Sequence, residues 1–297
     1  MSTAPAPLVP GLLNGLVDDA AVFPPGLAPM AAAVPRHLQH TAAPYAGMVG
    51  PFLVPAGAVA PFSAAVRALP PGATLRAGIV ADPGAADPLG EALAALESLA
   101  ALEVVRPVAL EVPLPRGGAQ AAAAARLPGR LAGLPDGVQA WVEVQREPGW
   151  QDALGSVAAA GGPIGGKLRT GGTTAEAFPS PAELAAFLQH AVGLGARFKL
   201  TAGLHTAVRG PDPTGASHHG LLNVLVALHV ALGGADVAEV EQVLAGTDPD
   251  RLAAAARALT DADAAAIRAH LASFGCCGVT DPIDDLAALG LLQEAAR

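Results

Sequence analysis

Short apolar runs alternate with longer Ala- and Leu-rich stretches over the first two-thirds of the chain. The runs Ala46–Val54, Leu75–Ala81, Val104–Val112, Val138–Val144, Pro163–Leu168 and Ala196–Ala202 have the length and near-continuous hydrophobicity of buried strands. Between them, Pro88–Ala101, Ala119–Leu131 and Ala182–Val192 repeat apolar residues at helical spacing. The third has a marked start, with Ser180 as N-cap, Pro181 at the first helical position and Glu183 to close a capping box. Strand–helix alternation of this kind predicts a parallel sheet covered by helices.

Six such units favour a (β/α)8 barrel over an open sheet. Beyond residue 215 the pattern changes to helices starting near Gly220, near Val237, after Asp248-Pro249 and after Thr260. A short apolar segment, Phe274–Val279, then precedes Asp281-Pro282 and a last helix that ends near Leu292. The expected fold is therefore α/β, a TIM-type barrel forming one domain over 1–297, with extra helices in a mostly helical part at 211–297. Two of its eight strands have no clear place in the sequence.

Composition narrows the function classes. The chain has 297 residues, is 52% hydrophobic and only 14% charged, and carries a formal net charge of −9. No basic run is present, which argues against a nucleic-acid surface. The longest apolar segment, Leu221–Leu232, is shorter than a membrane span and contains Asn223 and His229, so no membrane association is expected. The N-terminus lacks the basic and apolar regions of a secretory signal, and a cytoplasmic protein is the expectation. Cys276 and Cys277 are adjacent, without metal-ligand spacing, and read as small core residues. His37 and His40 read as surface residues.

The basic residues divide unevenly: 15 are Arg, and only Lys167 and Lys199 are Lys. In a chain whose composition favours Arg for mere surface charge, a retained lysine marks a place where an amine is needed. Each falls at the end of an expected strand, where barrel proteins collect functional groups. Neighbouring parallel strands lie about 5 Å apart, so the two amines can be close. Either the lysines hold an anionic ligand as fixed charges, or one is an amine nucleophile whose pKa the other lowers. A second group comprises His219 and Asn223, four apart and on one face if a helix starts near His219, with His205 in a preceding loop. Adjacent His218 and His219 point in different directions, and the set is read as contacting a ligand or as simple capping and packing, rather than as a metal site.

The two lysine segments resemble those of deoxyribose-phosphate aldolases. Lys167-Leu168-Arg169-Thr170-Gly171 is similar to that family's Lys-x-x-Thr-Gly stretch, and Phe198-Lys199-Leu200-Thr201-Ala202-Gly203 is similar to its second lysine segment. The lysines are 199 − 167 = 32 residues apart, one strand–helix–strand unit. Asp18-Asp19-Ala20-Ala21-Val22-Phe23-Pro24 and the strand Val49–Val54 also resemble its N-terminal features. Arg169 stands where the family has a small residue, and the segment after Pro211 does not resemble its phosphate-binding end. The resemblance implies a class I aldolase-like carbon–carbon lyase acting on a small anionic carbonyl compound, with no cofactor. Lys167 would form the Schiff base, Lys199 would keep it partly neutral, and Asp18 or Glu111 would move protons. Arg169, Thr170, Gly171, Gly172, Thr201, His205, His219 and Asn223 would hold the substrate. The alternative is a non-catalytic or metal-dependent barrel that binds an anionic small molecule through Lys167, Arg169, Lys199 and His205.

Overall fold

The computed structural model describes residues 7–211 and 217–292, so the first six residues of the N-terminal segment and the end of the C-terminal part lie outside it. Eight parallel strands close into a barrel: β1 (Val17–Asp19), β2 (Val49–Pro55), β3 (Leu75–Val80), β4 (Val105–Pro113), β5 (Gln139–Glu143), β6 (Ile164–Arg169), β7 (Phe198–Thr201) and β8 (Leu271–Cys276). Neighbours in sequence are neighbours in the barrel, and β1 closes it by pairing with both β2 and β8. The expected (β/α)8 architecture is the observed one.

The two strands without a clear sequence signal are β1 and β8. β1 has three residues, two of them Asp, and lacks any hydrophobic run. β8 reads Leu-Ala-Ser-Phe-Gly-Cys and follows the helix Asp261–His270 directly, with no turn residues to separate the two. The apolar segment expected at Phe274–Val279 is the end of this strand and the turn after it.

The C-terminal helices have a definite place. Leu221–Leu232, Val237–Ala245, Pro249–Arg257 and Asp261–His270 all lie in the crossover between β7 and β8. Leu221–Leu232 is buried over most of its circumference and packs against the other three as well as Pro181–Gly193. A helix enclosed on several sides has no polar face to preserve, hence its Leu, Val and Ala at every position but Asn223 and His229. Burial of each such Leu or Val contributes about 1.5–3 kcal/mol.

Pro181–Gly193 starts as the sequence predicts. Ser180 Oγ accepts from the Glu183 amide at 3.2 Å, and Glu183 Oε2 accepts from the Ser180 amide at 2.7 Å. His37 corrects the sequence reading. It is buried in Met30–His40, where its Nδ1 lies 3.0 Å from Asp19 Oδ2 and its ring meets Phe52 edge-on. Asp19 also accepts from the Ala21 amide at 3.0 Å, so the polar end of β1 is tied to the helix that follows.

Candidate active site

The strand register forms a row of charged residues inside the barrel. Glu143 on β5 pairs in register with Lys167 on β6, and Lys167 with Lys199 on β7. Glu111 on β4, the neighbour of β5, and Asp18 on β1, two strands beyond β7, reach the same layer. The Glu111 carboxylate bridges the two amines, with Oε1 2.5 Å from Lys199 Nζ and Oε2 2.7 Å from Lys167 Nζ. Lys167 also lies 2.8 Å from Glu143 Oε2, and Lys199 lies 2.5 Å from Asp18 Oδ2. Ser273 on β8 donates to Asp18 Oδ2 at 2.8 Å, and Arg169 Nε donates to Glu143 Oε1 at 3.2 Å.

Three carboxylates thus face three cations. Isolated buried charges are costly, and mutual compensation is what lets the three carboxylates and two lysines lie inside the barrel, while Arg169 reaches Glu143 from an exposed position. Burial opposes ionisation of Glu111, but Lys167 and Lys199 outweigh it and draw its pKa down to about 2. Glu143 is likewise lowered, since Lys167 and Arg169 overcome its burial. Lys199 is buried too, yet Asp18 and Glu111 keep its ammonium above the usual range. Asp18 goes the other way. Burial raises its pKa, and its Oδ1 is enclosed without a hydrogen-bond partner.

Gly50 makes room for that carboxylate. A Cβ at position 50 would lie 2.1 Å from Asp18 Oδ1. Gly50→Ala is therefore expected to destabilise the protein by about 1–3 kcal/mol through overpacking, read as a fall in the urea midpoint at unchanged m-value.

The layer opens into a cavity of about 850 Å³ at the C-terminal ends of the strands. Glu111 and Lys167 contribute to its lining beside Phe23, Leu53, Val80 and Phe178, with Arg169 and His205 adding positive and titratable groups. Segments that follow β1, β6, β7 and β8 build this end, the face on which barrel enzymes carry their sites. Lys199 does not line the cavity and is wholly buried. The two lysines, alike in sequence, therefore occupy different positions: one borders the space for a ligand, the other braces the layer.

The remaining sequence candidates divide. Gly172, Thr201 and His205 line the cavity. Thr170 is buried and structural: its hydroxyl donates to Ala202 O at 2.5 Å, and its amide donates to Thr201 O, leaving no free donor for a ligand. Gly171 serves close packing, since a Cβ there would sit 2.6 Å from Gly203 Cα. Between these contacts Ala202 adopts a left-handed φ of 63°, a strained conformation for a residue with a Cβ.

His219 and Asn223 fall outside the cavity lining. His219 Nε2 lies 2.7 Å from Pro179 O, and burial lowers the ring pKa to about 4. Asn223 accepts from the Arg209 amide and donates to the carbonyls of Val243 and Gly246. Both anchor the β7–β8 crossover, and the expectation that they hold substrate is corrected accordingly. His205 takes a different set of partners, Asp281, Cys276 and Cys277, which together raise its pKa to about 12.

Glu143 and Ser273, one charged member of the layer and one hydroxyl that bonds to it, are not among the sequence candidates. Glu143 ends β5 in Trp141-Val142-Glu143-Val144, where an acid at the end of an apolar strand was the available signal. Ser273 has no comparable signal.

The geometry defines a (β/α)8 barrel with a buried lysine–carboxylate layer at the floor of an open cavity. No family model, curated protein or solved structure matches the chain. Among the described residues, no helix is long and apolar enough to cross a membrane.

Proposed function

We propose that the protein is a class I aldolase-like carbon–carbon lyase acting on a small anionic carbonyl compound through a Schiff base at Lys167. The observation that carries this reading is the single Glu111 carboxylate held between both lysine amines, with only Lys167 bordering the cavity.

Lys167 Nζ lies 2.7 Å from Glu111 Oε2 and 2.8 Å from Glu143 Oε2, ion-pair distances over which a modest realignment allows proton transfer. Proton transfer to either carboxylate leaves a neutral amine that attacks the substrate carbonyl carbon. Loss of water from the carbinolamine, with the proton returned to the departing oxygen, gives an iminium. The nitrogen carries one positive charge as ammonium and one as iminium. The carboxylates that hold the first also hold the second, so the layer needs no reorganisation of charge. Retro-aldol cleavage moves the C–C bonding pair into the iminium as a hydroxyl proton passes to a carboxylate, and the resulting enamine is reprotonated at carbon.

In this scheme Lys199 is a positioning residue. It fixes Glu111 by ion pairing and is itself held by Asp18, which revises the simpler idea that it acts by direct repulsion of Lys167. Arg169, which is partly exposed and reaches the cavity, supplies positive charge for the substrate's anionic group. The reading of four cations gathered round an anion has less support, because buried Lys199 is fully engaged by Asp18 and Glu111.

Borohydride trapping tests the proposal. With pyruvate, the simplest anionic carbonyl probe, reduction should leave a stable adduct on the Lys167 peptide by mass mapping. Lys167→Arg should form none, since guanidinium forms no Schiff base under these conditions. An adduct elsewhere, or none in the wild type with pyruvate, acetaldehyde and glyceraldehyde 3-phosphate alike, would exclude the mechanism.

A further inference from the structure

We propose that His205, Cys276 and Asp281 form a zinc site at the mouth of the barrel. The three residues come from the loop after β7, the end of β8 and the first turn of Thr280–Ala288. His205 Nδ1 lies 2.8 Å from Asp281 Oδ2 and 3.5 Å from Cys276 Sγ. One donor atom from each residue falls within a common span of 4.8 Å.

Bond lengths fit the ion. Tetrahedral zinc at ~2.0 Å from nitrogen and oxygen and ~2.3 Å from sulfur holds its ligands roughly 3.3–3.6 Å apart. The His205–Cys276 separation already has this value. The Asp281 carboxylate has to withdraw by about 0.5 Å to meet the same spacing, and its side chain is exposed enough to move. Gly278 leaves the space that this carboxylate occupies, since a Cβ there would lie 2.2 Å from Asp281 Oδ2. A buried thiol, an imidazole and one carboxylate form a donor set suited to zinc, whereas magnesium and calcium favour oxygen ligands.

Three protein ligands leave a fourth position for water or for an oxygen of the cavity's ligand. His205 lines the cavity, which connects the two sites. Cys277 stays outside the ligand set, because its sulfur faces the other ring nitrogen, Nε2, at 3.5 Å. On binding, the ion takes the place of the proton that His205 Nδ1 shares with Asp281 and of the Cys276 thiol proton. Two protons pass to solvent, and no atom changes oxidation state. The site involves neither lysine and does not rest on the aldolase reading.

The test is metal binding by the full chain under reducing conditions, followed with cobalt(II) as a spectroscopic stand-in and then with zinc. We expect one ion per chain and a near-ultraviolet thiolate-to-cobalt band that zinc abolishes. Cys276→Ser should remove the band, and Asp281→Asn and His205→Gln should each weaken binding by about tenfold or more. Cys277→Ser should retain both band and affinity. Wild-type binding no tighter than that of Asp281→Asn would overturn the proposal, as would a thiolate band that persists in Cys276→Ser. Asp281→Asn alters an exposed side chain, so it decides the question even if Cys276→Ser fails to fold.

Discussion

Lys199→Met is expected to lower the unfolding free energy by about 3–5 kcal/mol at neutral pH, the cost of breaking a buried ion pair by removing one partner. Methionine fills much of the lysine's volume, so cavity formation is a minor part of the loss. What remains is Asp18 and one oxygen of Glu111, both buried and deprived of their shared cation. Asp18 already has its pKa raised by burial with the ammonium present. Without it, neutralisation is the cheapest response.

The pH dependence has a definite sign. In the wild type, Glu111 has a folded pKa of about 2, below the ~4.3 of an unperturbed glutamate. Its contribution is complete above the unfolded value and is lost as pH falls through about 2. Lys199 has a raised folded pKa, so its contribution is complete below the unfolded value of ~10.4 and is lost as pH rises through the folded one. The gap between wild type and Lys199→Met should therefore be widest between about pH 5 and 10 and should narrow on acidification. Urea titrations at several pH values measure it, and Asp18→Asn combined with Lys199→Met should recover part of the loss. A gap below about 1 kcal/mol, the scale of exposed pairs, or one independent of pH, would mean the layer is not held by its charges.

Glu111→Gln carries the second large effect, this time on chemistry. The amide keeps the shape and one acceptor oxygen but cannot take the Lys167 proton. Iminium formation, measured as the rate of borohydride-quenched adduct with pyruvate, should fall about 10²–10⁴-fold, the range for removal of a general acid–base group. Glu143→Gln should cost less, because Glu143 is also engaged by Arg169, and Glu111 remains 2.7 Å from the amine. Loss of stability alone would lower the amount of folded protein without changing the pH profile of trapping. Loss of proton transfer should instead lower the trapping rate per folded molecule. Trapping by folded Glu111→Gln at the wild-type rate and pH profile would remove Glu111 from the chemistry.

Much of the barrel was legible because six of its strands are apolar runs bounded by helical periodicity. β1 was not, since Val17-Asp18-Asp19 is a strand through its pairing with β2 and β8 rather than through its own hydrophobicity. Site residues followed the same division. Lys167 and Lys199 stood out by their rarity and by their place at strand ends. His37 read as a surface residue because nothing local shows that Asp19 waits 18 positions earlier as its partner. His219 and Asn223 do not share a helical face, because the helix starts only at Leu221, and their side chains meet Pro179, Val243 and Gly246 instead of the cavity.

The sequence by itself determined the alternation that makes a parallel barrel and the presence of two lysines one strand–helix–strand unit apart. Tertiary structure decided what surrounds those lysines. Barrel closure brings Asp18 to Lys199 across 181 residues and Glu111 to the same amine across 88. Strand register sets Glu143 beside Lys167. The depth of each amine relative to the cavity, which separates the lysine that borders it from the one that braces the layer, depends on how all eight strands pack around a common axis. Periodicity reports which face a residue takes on its own strand; only the closed sheet fixes what stands opposite.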